Sequence, residues 1–120
     1  MPASNIDRYR DLLGKQLAMN QETWHRLQQH GVTPATSLRL DFTYRAPDQQ
    51  SAAALKELLC GETDYAVEVK SSGLLRKEWS VHGTTQPTTI SPEILDQWVD
   101  WMVSAGFERG CEFDGWGAQV

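Results

Sequence analysis

The amino-acid sequence predicts an α+β fold in a single domain spanning residues 1–120, and three observations lead to this prediction. The length of 120 residues is typical of a protein with one hydrophobic core. The apolar fraction of 40% and the charged fraction of 22% are close to globular averages, so a disordered chain is excluded. Apolar residues recur at helical spacing in some segments and alternate with polar residues in others, which indicates both helices and strands.

Residues 1–31 are predicted to form an N-terminal helical segment. Apolar residues follow one another at steps of three and four, and Gly31 followed by Pro34 is typical of a helix end. Asn20 falls where this apolar stripe should continue, so we expect a break between two helices near Ala18–Asn20. The stripe consists of Ile6, Tyr9, Leu13, Leu17, Trp24 and Leu27.

Along residues 37–118, segments in which apolar and polar residues alternate are interspersed with segments in which apolar residues recur at helical spacing. Apolar and polar residues alternate along Ser37–Arg45, which predicts a half-buried strand. The same criteria predict a helix over Gln49–Cys60 with Gly61 as its stop, followed by strands over Asp64–Lys70 and Leu75–His82. A loop is predicted over Thr84–Ile90, then a helix from Ser91 to Gly106 and a last strand over Phe107–Asp114.

The order of elements in this region is strand, helix, strand, strand, helix, strand. That order is the split β-α-β pattern, and it predicts a ferredoxin-like core in which a four-stranded antiparallel sheet carries two helices on one face. The N-terminal helix is then an addition to this core. The second face of the sheet is predicted to be polar and to face water or a polar partner, with Thr43, Arg45, Glu68, Lys70, His82, Glu112 and Asp114 among its residues.

Composition restricts the class of partner. The chain has 11 basic and 16 acidic residues, a net charge of −5, which argues against direct contact with nucleic-acid phosphates and permits a basic protein partner. The two cysteines, Cys60 and Cys111, are too few for a disulfide scaffold and lack the spacing of a zinc site. With no apolar leader and no segment of membrane-spanning length, we expect a cytoplasmic protein without a metal, cofactor or membrane contact.

No pattern in the sequence is typical of catalysis, and we predict no catalytic residues. His82 lies at a strand end, and no recognisable motif places a nucleophile beside it. Glu112 and Asp114 are two residues apart on a strand, so both should point to the same side as surface acids. A small hydrolase that uses these acids with His82 is the weaker alternative.

Tryptophan is unusually frequent, with five residues in the chain. Trp79, Trp98 and Trp101 lie at positions that predict burial in the core. Trp24 lies on the N-terminal helix, which has no obvious surface to pack on if the second sheet face is polar. That helix therefore suggests a homodimer contact or a partner contact.

Trp116 lies between Gly115 and Gly117, just after the last predicted strand. The two glycines suggest a tight loop around a fixed ring. The ring could close one end of the core, which is the favoured interpretation because tryptophan is mostly buried. It could also be an exposed aromatic anchor for a partner, with the acid Asp114 beside it.

The segment Cys-Glu-Phe-Asp-Gly-Trp-Gly, residues 111–117, resembles the C-terminal signature of the regulator of ribonuclease activity B family. Three further segments are similar in order and spacing, so that the resemblance spans residues 20–118. They are Gly31–Pro34 as a Gly-x-x-Pro break, Leu38–Val69 as a strand-helix-strand unit, and Ser91–Phe107 as the last helix.

The resemblance implies a ferredoxin-like core, in agreement with the pattern of elements. It also implies a protein that binds ribonuclease E and inhibits RNA processing by protein contact, with no catalysis or cofactor of its own. The partner's regulatory region is rich in arginine, which suits an acidic inhibitor.

We therefore predict a non-enzymatic regulatory binding protein. Glu112, Asp114 and Trp116 are the predicted partner contacts, and Gly115 and Gly117 are predicted to shape their loop. The alternative is a self-associating structural module that pairs through the N-terminal helix and has no role in ribonuclease regulation.

Overall fold

A computed structural model of the chain describes residues 2–75 and 77–118, with side chains from residue 6 onward. The predicted domain limits at Met1 and Val120 lie outside these residues. The described elements, in chain order, are α1 (Pro2–Gln29), β1 (Ser37–Leu38), β2 (Leu40–Ala46), α2 (Gln49–Glu62), β3 (Ala66–Ser72), β4 (Glu78–Thr84), β5 (Thr88–Thr89), α3 (Pro92–Glu108) and β6 (Glu112–Ala118).

The main sheet has four strands in the order β3-β4-β2-β6, and each neighbouring pair is antiparallel. Helix α2 connects β2 to β3, which lie on either side of β4, and α3 belongs to the connection from β4 to β6, which lie on either side of β2. Strands β1 and β5 form a separate antiparallel pair that the sequence pattern did not predict. The α+β class, the antiparallel sheet and the additional N-terminal helix are confirmed.

Helices α2 and α3 cover one face of the sheet. The main cluster of buried side chains combines inward residues of the strands with residues of both helices. Tyr44 lies at its centre with no exposed surface, and its hydroxyl donates to the Met102 carbonyl oxygen at 2.6 Å. The other members are Phe42, Ala52, Leu55, Leu59, Val81, Val99, Val103, Cys111 and Phe113.

Helix α1 is continuous, so the predicted break near Ala18–Asn20 is wrong. Asn20 is only 2% exposed. Its Nδ2 donates to Asp96 Oδ1 at 3.1 Å, and its Oδ1 accepts from Trp116 Nε1 at 2.7 Å. A buried polar side chain whose donor and acceptor are both hydrogen-bonded can be part of a packed helix face. Asn20 therefore interrupts the row of apolar residues but not the helix.

The same helix also has a surface to pack on within the chain. Helix α1 contacts α3 along its length and reaches β6, an outer strand of the sheet. Gln16, also buried, donates from Nε2 to the Phe113 carbonyl oxygen of β6 at 3.4 Å. The observation that suggested dimerisation, an amphipathic helix without an obvious surface, is thereby removed.

The strand boundaries differ from the predicted ones. The strand predicted over Ser37–Arg45 is divided at Arg39 into β1 and β2. Strands β3 and β4 begin two and three residues later than predicted, at Ala66 and Glu78. Leu75, the first residue of the predicted strand, is fully exposed in the connection between them, because an apolar side chain by itself does not decide burial.

Gly61 and Gly106 were each predicted to end a helix, and both predictions are wrong. Gly61 lies inside α2, which ends where the Thr63 side chain and backbone both donate to the Leu59 carbonyl oxygen. Gly106 lies inside α3, where a Cβ would come within 2.7 Å of the Tyr44 ring. Its role is close packing, so α3 continues through Phe107, which was predicted as strand, and β6 begins at Glu112.

The start of α3 agrees with prediction, whereas the predicted burial of Trp101 is wrong. Ser91 caps the helix, with its Oγ accepting from the Ile94 backbone N–H at 3.3 Å. Trp98 packs in the core as predicted, whereas Trp101 is 40% exposed and Ile94 is 47% exposed. The buried residues of α3 are Leu95, Val99, Met102, Val103, Ala105 and Gly106.

Candidate functional site

Trp116, predicted in a loop after the last strand, lies within β6 and pairs with Phe42 of β2. Its ring is partly buried and packs edge-to-face on the Trp98 ring, with 6.0 Å between centroids. Its indole N–H donates to Asn20 Oδ1 of α1. The ring therefore joins α1, α3 and the sheet, and its one hydrogen-bond donor is used inside the protein.

Gly115 and Gly117 also lie within β6, so the prediction that they shape a loop is wrong. Gly115 has a φ of +142° and lies where the pairing of β6 with β2 shifts register, as in a β-bulge. A Cβ on Gly117 would lie 3.3 Å from Asp41 Oδ2. Gly115 therefore allows the irregular backbone of β6, and Gly117 allows the close approach of Asp41.

Glu112 and Asp114 lie on the predicted sheet face, beside basic residues of the same chain. Glu112 forms a salt bridge with Arg8 of α1 through Oε1 and lies 3.8 Å from Arg45 Nη2 through Oε2. Arg45 Nε lies 3.5 Å from Asp114 Oδ1. The two acids are partly exposed, but their charges are compensated by two arginines, which lowers their attraction for a basic partner.

His82 lies on the same sheet face and bonds to two hydroxyl groups. Its Nε2 is 2.8 Å from Ser80 Oγ, and its Nδ1 is 3.3 Å from Thr43 Oγ1. Strand β4 is paired on both sides, so its backbone N–H groups are used in the sheet and none is directed at an oxyanion next to Ser80. The neighbouring groups therefore give no support to the hydrolase alternative.

A cavity of about 260 Å³ lies where α3 begins, between that helix and the connection from β4 to α3. Its apolar wall includes Leu40, Tyr65, Ile90, Leu95 and Trp98, while polar residues form its rim. Sequence reasoning missed it because the wall is assembled from separate segments of the chain. The signal that could have indicated it is Ile94, an apolar residue just off the buried face of α3.

The aromatic wall of the cavity is fixed by one hydrogen bond. The Trp98 indole N–H donates to the Tyr65 hydroxyl at 3.0 Å, and both rings also pack on Phe42. Burial raises the pKa of Tyr65, so its hydroxyl remains protonated at neutral pH and accepts this bond as a neutral group.

The opposite side of the cavity is held at three points. Thr85 is buried, and it exchanges hydrogen bonds with the Leu40 backbone at 2.8 and 3.1 Å. Gln86 Nε2 donates to the Asp64 carbonyl oxygen at 3.4 Å. The pairing of β5 with β1 holds the end of the same connection. The cavity is therefore shaped by the fold before anything binds.

Three acidic residues lie at this end of the molecule. Asp64 lines the cavity, Glu62 is the last residue of α2, and Glu93 lies in the first turn of α3. All three are exposed. Within residues 6–75 and 77–118, none of them forms a salt bridge, in contrast to Glu112 and Asp114.

The two cysteines are expected to react very differently with a thiol reagent. Cys60 is exposed, whereas Cys111 is buried, and burial together with the nearby Asp48 carboxylate raises the pKa of Cys111 to about 11 from 9.0. We expect one fast-reacting thiol in the native chain at pH 8 and two in denaturant, measured with a chromogenic disulfide reagent.

The Cys60→Ser variant is the control for this assignment and should have no fast-reacting thiol in the native state. The raised pKa also makes the free energy of unfolding depend on pH. Below pH 9 the Cys111 thiol is neutral in both states and this dependence is absent, whereas the folded state loses stability as the pH rises from 9 towards 11. Rapid labelling of native Cys60→Ser at pH 8 would contradict the burial of Cys111.

The described part of the chain defines a small, acidic α+β protein with an open polar sheet face and a preformed cavity. Within residues 6–75 and 77–118, no three His, Cys, Asp or Glu side chains come together as a metal site would require, and none of the described helices is long and apolar enough to cross a membrane.

The family model described as regulator of ribonuclease activity B matches residues 17–118. The chain therefore belongs to the regulator of ribonuclease activity B family. None of the curated proteins is significantly similar to it. The match begins in the second half of α1, so residues 2–16, which include Arg8 of the Glu112 salt bridge, precede the matched region.

Proposed function

We propose that the chain is a non-enzymatic regulator that binds a ribonuclease by protein–protein contact and thereby modulates RNA processing. Membership of the regulator of ribonuclease activity B family, across residues 17–118, is the observation that carries this proposal. The net charge of −5 supports a partner with a basic regulatory region, such as that of ribonuclease E, rather than direct contact with RNA.

We also propose that the four-stranded sheet with α2 and α3 is a ferredoxin-like core. The strand order β3-β4-β2-β6 and the two helical connections that each skip one strand support this assignment. A cytoplasmic location is part of the proposal, and the two free thiols are consistent with a reducing compartment.

Glu112, Asp114 and Trp116 have different parts in the proposed contact. Glu112 and Asp114 are proposed as secondary contacts, because they are partly exposed while Arg8 and Arg45 compensate their charge. Trp116 is proposed to position β6 against α1, since its N–H is bonded to Asn20. Self-association through α1 is not favoured, because its buried side chains contact α3 and β6.

The purified chain is expected to bind ribonuclease E and to slow its cleavage of an RNA substrate at low salt. Binding should weaken as salt is added, because attraction between an acidic and a basic surface is screened. Surface plasmon resonance at two salt concentrations, together with a cleavage assay, would measure both effects.

The double variant Glu112→Gln with Asp114→Asn tests the joint contribution of the two acids to binding. We expect it to change affinity by about twofold or less, because their charges are already compensated by arginines. If the chain neither binds ribonuclease E at low salt nor alters cleavage, the proposed function is wrong.

A further inference from the structure

We propose that the cavity at the start of α3 is the docking pocket for one apolar side chain from a basic segment of the protein partner. The inference rests on the proposed function, because it names the part of this chain that makes the contact. It differs from the sequence-based prediction, which placed the contact at Glu112, Asp114 and Trp116.

The size of the cavity decides the kind of occupant. Sites for drug-sized ligands and cofactors measure roughly 300–1,000 Å³, and this cavity measures about 260 Å³. It lies just below this range and suits a small apolar group such as one aliphatic or aromatic side chain. Apolar contact to such a group comes from Ile94 and from the partly buried Tyr65 and Trp98 rings, in front of buried Leu40, Ile90 and Leu95.

The walls of the cavity make it suitable for a side chain that arrives from outside. Tyr65 and Trp98 are fixed by their mutual hydrogen bond, and Thr85 holds the connection after β4 against Leu40. A pocket that is already ordered loses little conformational entropy when it binds, which favours affinity from a small contact.

The charge around the cavity indicates what should flank the apolar side chain. Among the described residues, Asp64 is the charged residue that lines the cavity, and two more acids are close to lining residues in the chain: Glu62 is two residues before Asp64, and Glu93 is directly before Ile94. Because no basic residue that the structure describes forms a salt bridge with any of the three, their charges are available to a partner. Lysine or arginine next to the apolar residue would complement them.

Another exposed apolar position shows why exposure by itself does not define this pocket. Leu75 is fully exposed, but it lies in the connection between β3 and β4 and does not line this cavity. Ile94 is 47% exposed and lies on the cavity wall. The pair therefore provides a test site and a matched control for the same substitution.

The test uses two synthetic arginine-rich peptides that differ only in one central residue, leucine or serine, each with a fluorescent label. We expect the leucine peptide to bind the full chain about tenfold more tightly, as burial of one aliphatic side chain predicts, with anisotropy as the readout. Ile94→Arg, which adds bulk and positive charge to the pocket wall, should abolish this difference, and Leu75→Arg should leave it unchanged.

Asp64→Asn separates the charge from the apolar contact. We expect it to weaken both peptides by a similar factor, about threefold to tenfold, and to preserve the preference for leucine. Thermal unfolding of Ile94→Arg beside Leu75→Arg shows whether the fold is retained, and both changes are at exposed positions.

Equal binding of the two peptides, or an unchanged preference for leucine in folded Ile94→Arg, would overturn the pocket. If Ile94→Arg binds ribonuclease E as tightly as the unchanged chain, the proposed function stands and the pocket is wrong. If ribonuclease E does not bind but the leucine preference is present and is lost in Ile94→Arg, the pocket stands and the choice of partner is wrong.

Discussion

Gly83→Ala is expected to destabilise the folded chain by about 3 kcal/mol or more, the upper part of the range for overpacking a core. Gly83 lies in β4, between Phe42 of β2 and Val67 of β3. A Cβ at this position would lie 2.2 Å from Phe42 Cζ and 2.9 Å from the Ala66 carbonyl oxygen. Phe42 is 2% exposed and surrounded by other rings, so neither the ring nor the backbone can move away at low cost.

Gly14→Ala is the control for Gly83→Ala, because it adds the same methyl group in open space. Gly14 lies within α1, and apart from its chain neighbours and the nearby backbone of the same helix, no atom lies within 4 Å of the position that its Cβ would occupy. Alanine is favoured over glycine inside a helix by about 0.8–1.0 kcal/mol, so this variant should be more stable. Urea unfolding measures both changes, and similar stabilities for the two variants would contradict the close packing at Gly83.

Trp98→Ala is the second large change, with an expected loss of about 3 kcal/mol for a tryptophan in a core. The Trp98 ring packs edge-to-face on three aromatic rings, those of Phe42, Phe113 and Trp116, at centroid distances of 6.0–6.4 Å. Trp98 packs against the main cluster of buried side chains and against a second cluster, so its removal weakens the contact between them. The second cluster consists of Leu27, Val32, Leu38, Leu40, Ile90 and Leu95. Tyr65 would also lose its hydrogen-bond donor.

Trp101→Ala is the matched control on the same helix, since Trp101 is 40% exposed. We expect it to cost about 1 kcal/mol or less, as is usual for substitutions at the surface. Urea unfolding followed by circular dichroism compares the two variants without depending on tryptophan fluorescence. Equal losses for Trp98→Ala and Trp101→Ala would mean that the two rings are buried alike, in conflict with the structure.

The elements that sequence could predict are those whose pattern repeats locally. Leu40, Phe42 and Tyr44 alternate with polar residues, and all three are buried in β2. The Ser91-Pro92 start of α3 is equally local, because a cap bonds to its own first turn. These signals gave the fold class and most of the elements, although the ends of several strands shifted by two or more residues.

Positions that depend on a distant partner were not predictable in the same way. A helix break was predicted near Asn20 because its hydrogen-bond partners, Asp96 and Trp116, are on other elements and cannot be recognised from the local sequence. Trp116 looked like a loop residue because nothing next to it in sequence shows that β6 pairs with β2. The cavity at the start of α3 was missed for the same reason, since its wall comes from several segments.

The candidate site shows a similar limit. The sequence placed Glu112 and Asp114 on one face of a strand, and the structure agrees with that placement. It could not show that Arg8, 104 residues away in the chain, and Arg45 of the neighbouring strand compensate the two acids. A residue's charge is local information, whereas the availability of that charge to a partner depends on tertiary contacts.

The contact between the first helix and the last strand has a consequence for synthesis of the chain on the ribosome. Helix α1 is made before its neighbours α3 and β6, which are separated from it by β1–β5 and α2. The buried face of α1, including Gln16 and Asn20, must therefore remain exposed until almost all of the described chain has emerged. Such contacts between distant residues slow folding, so this helix face is a surface that chaperones can bind and that favours aggregation in a nascent chain.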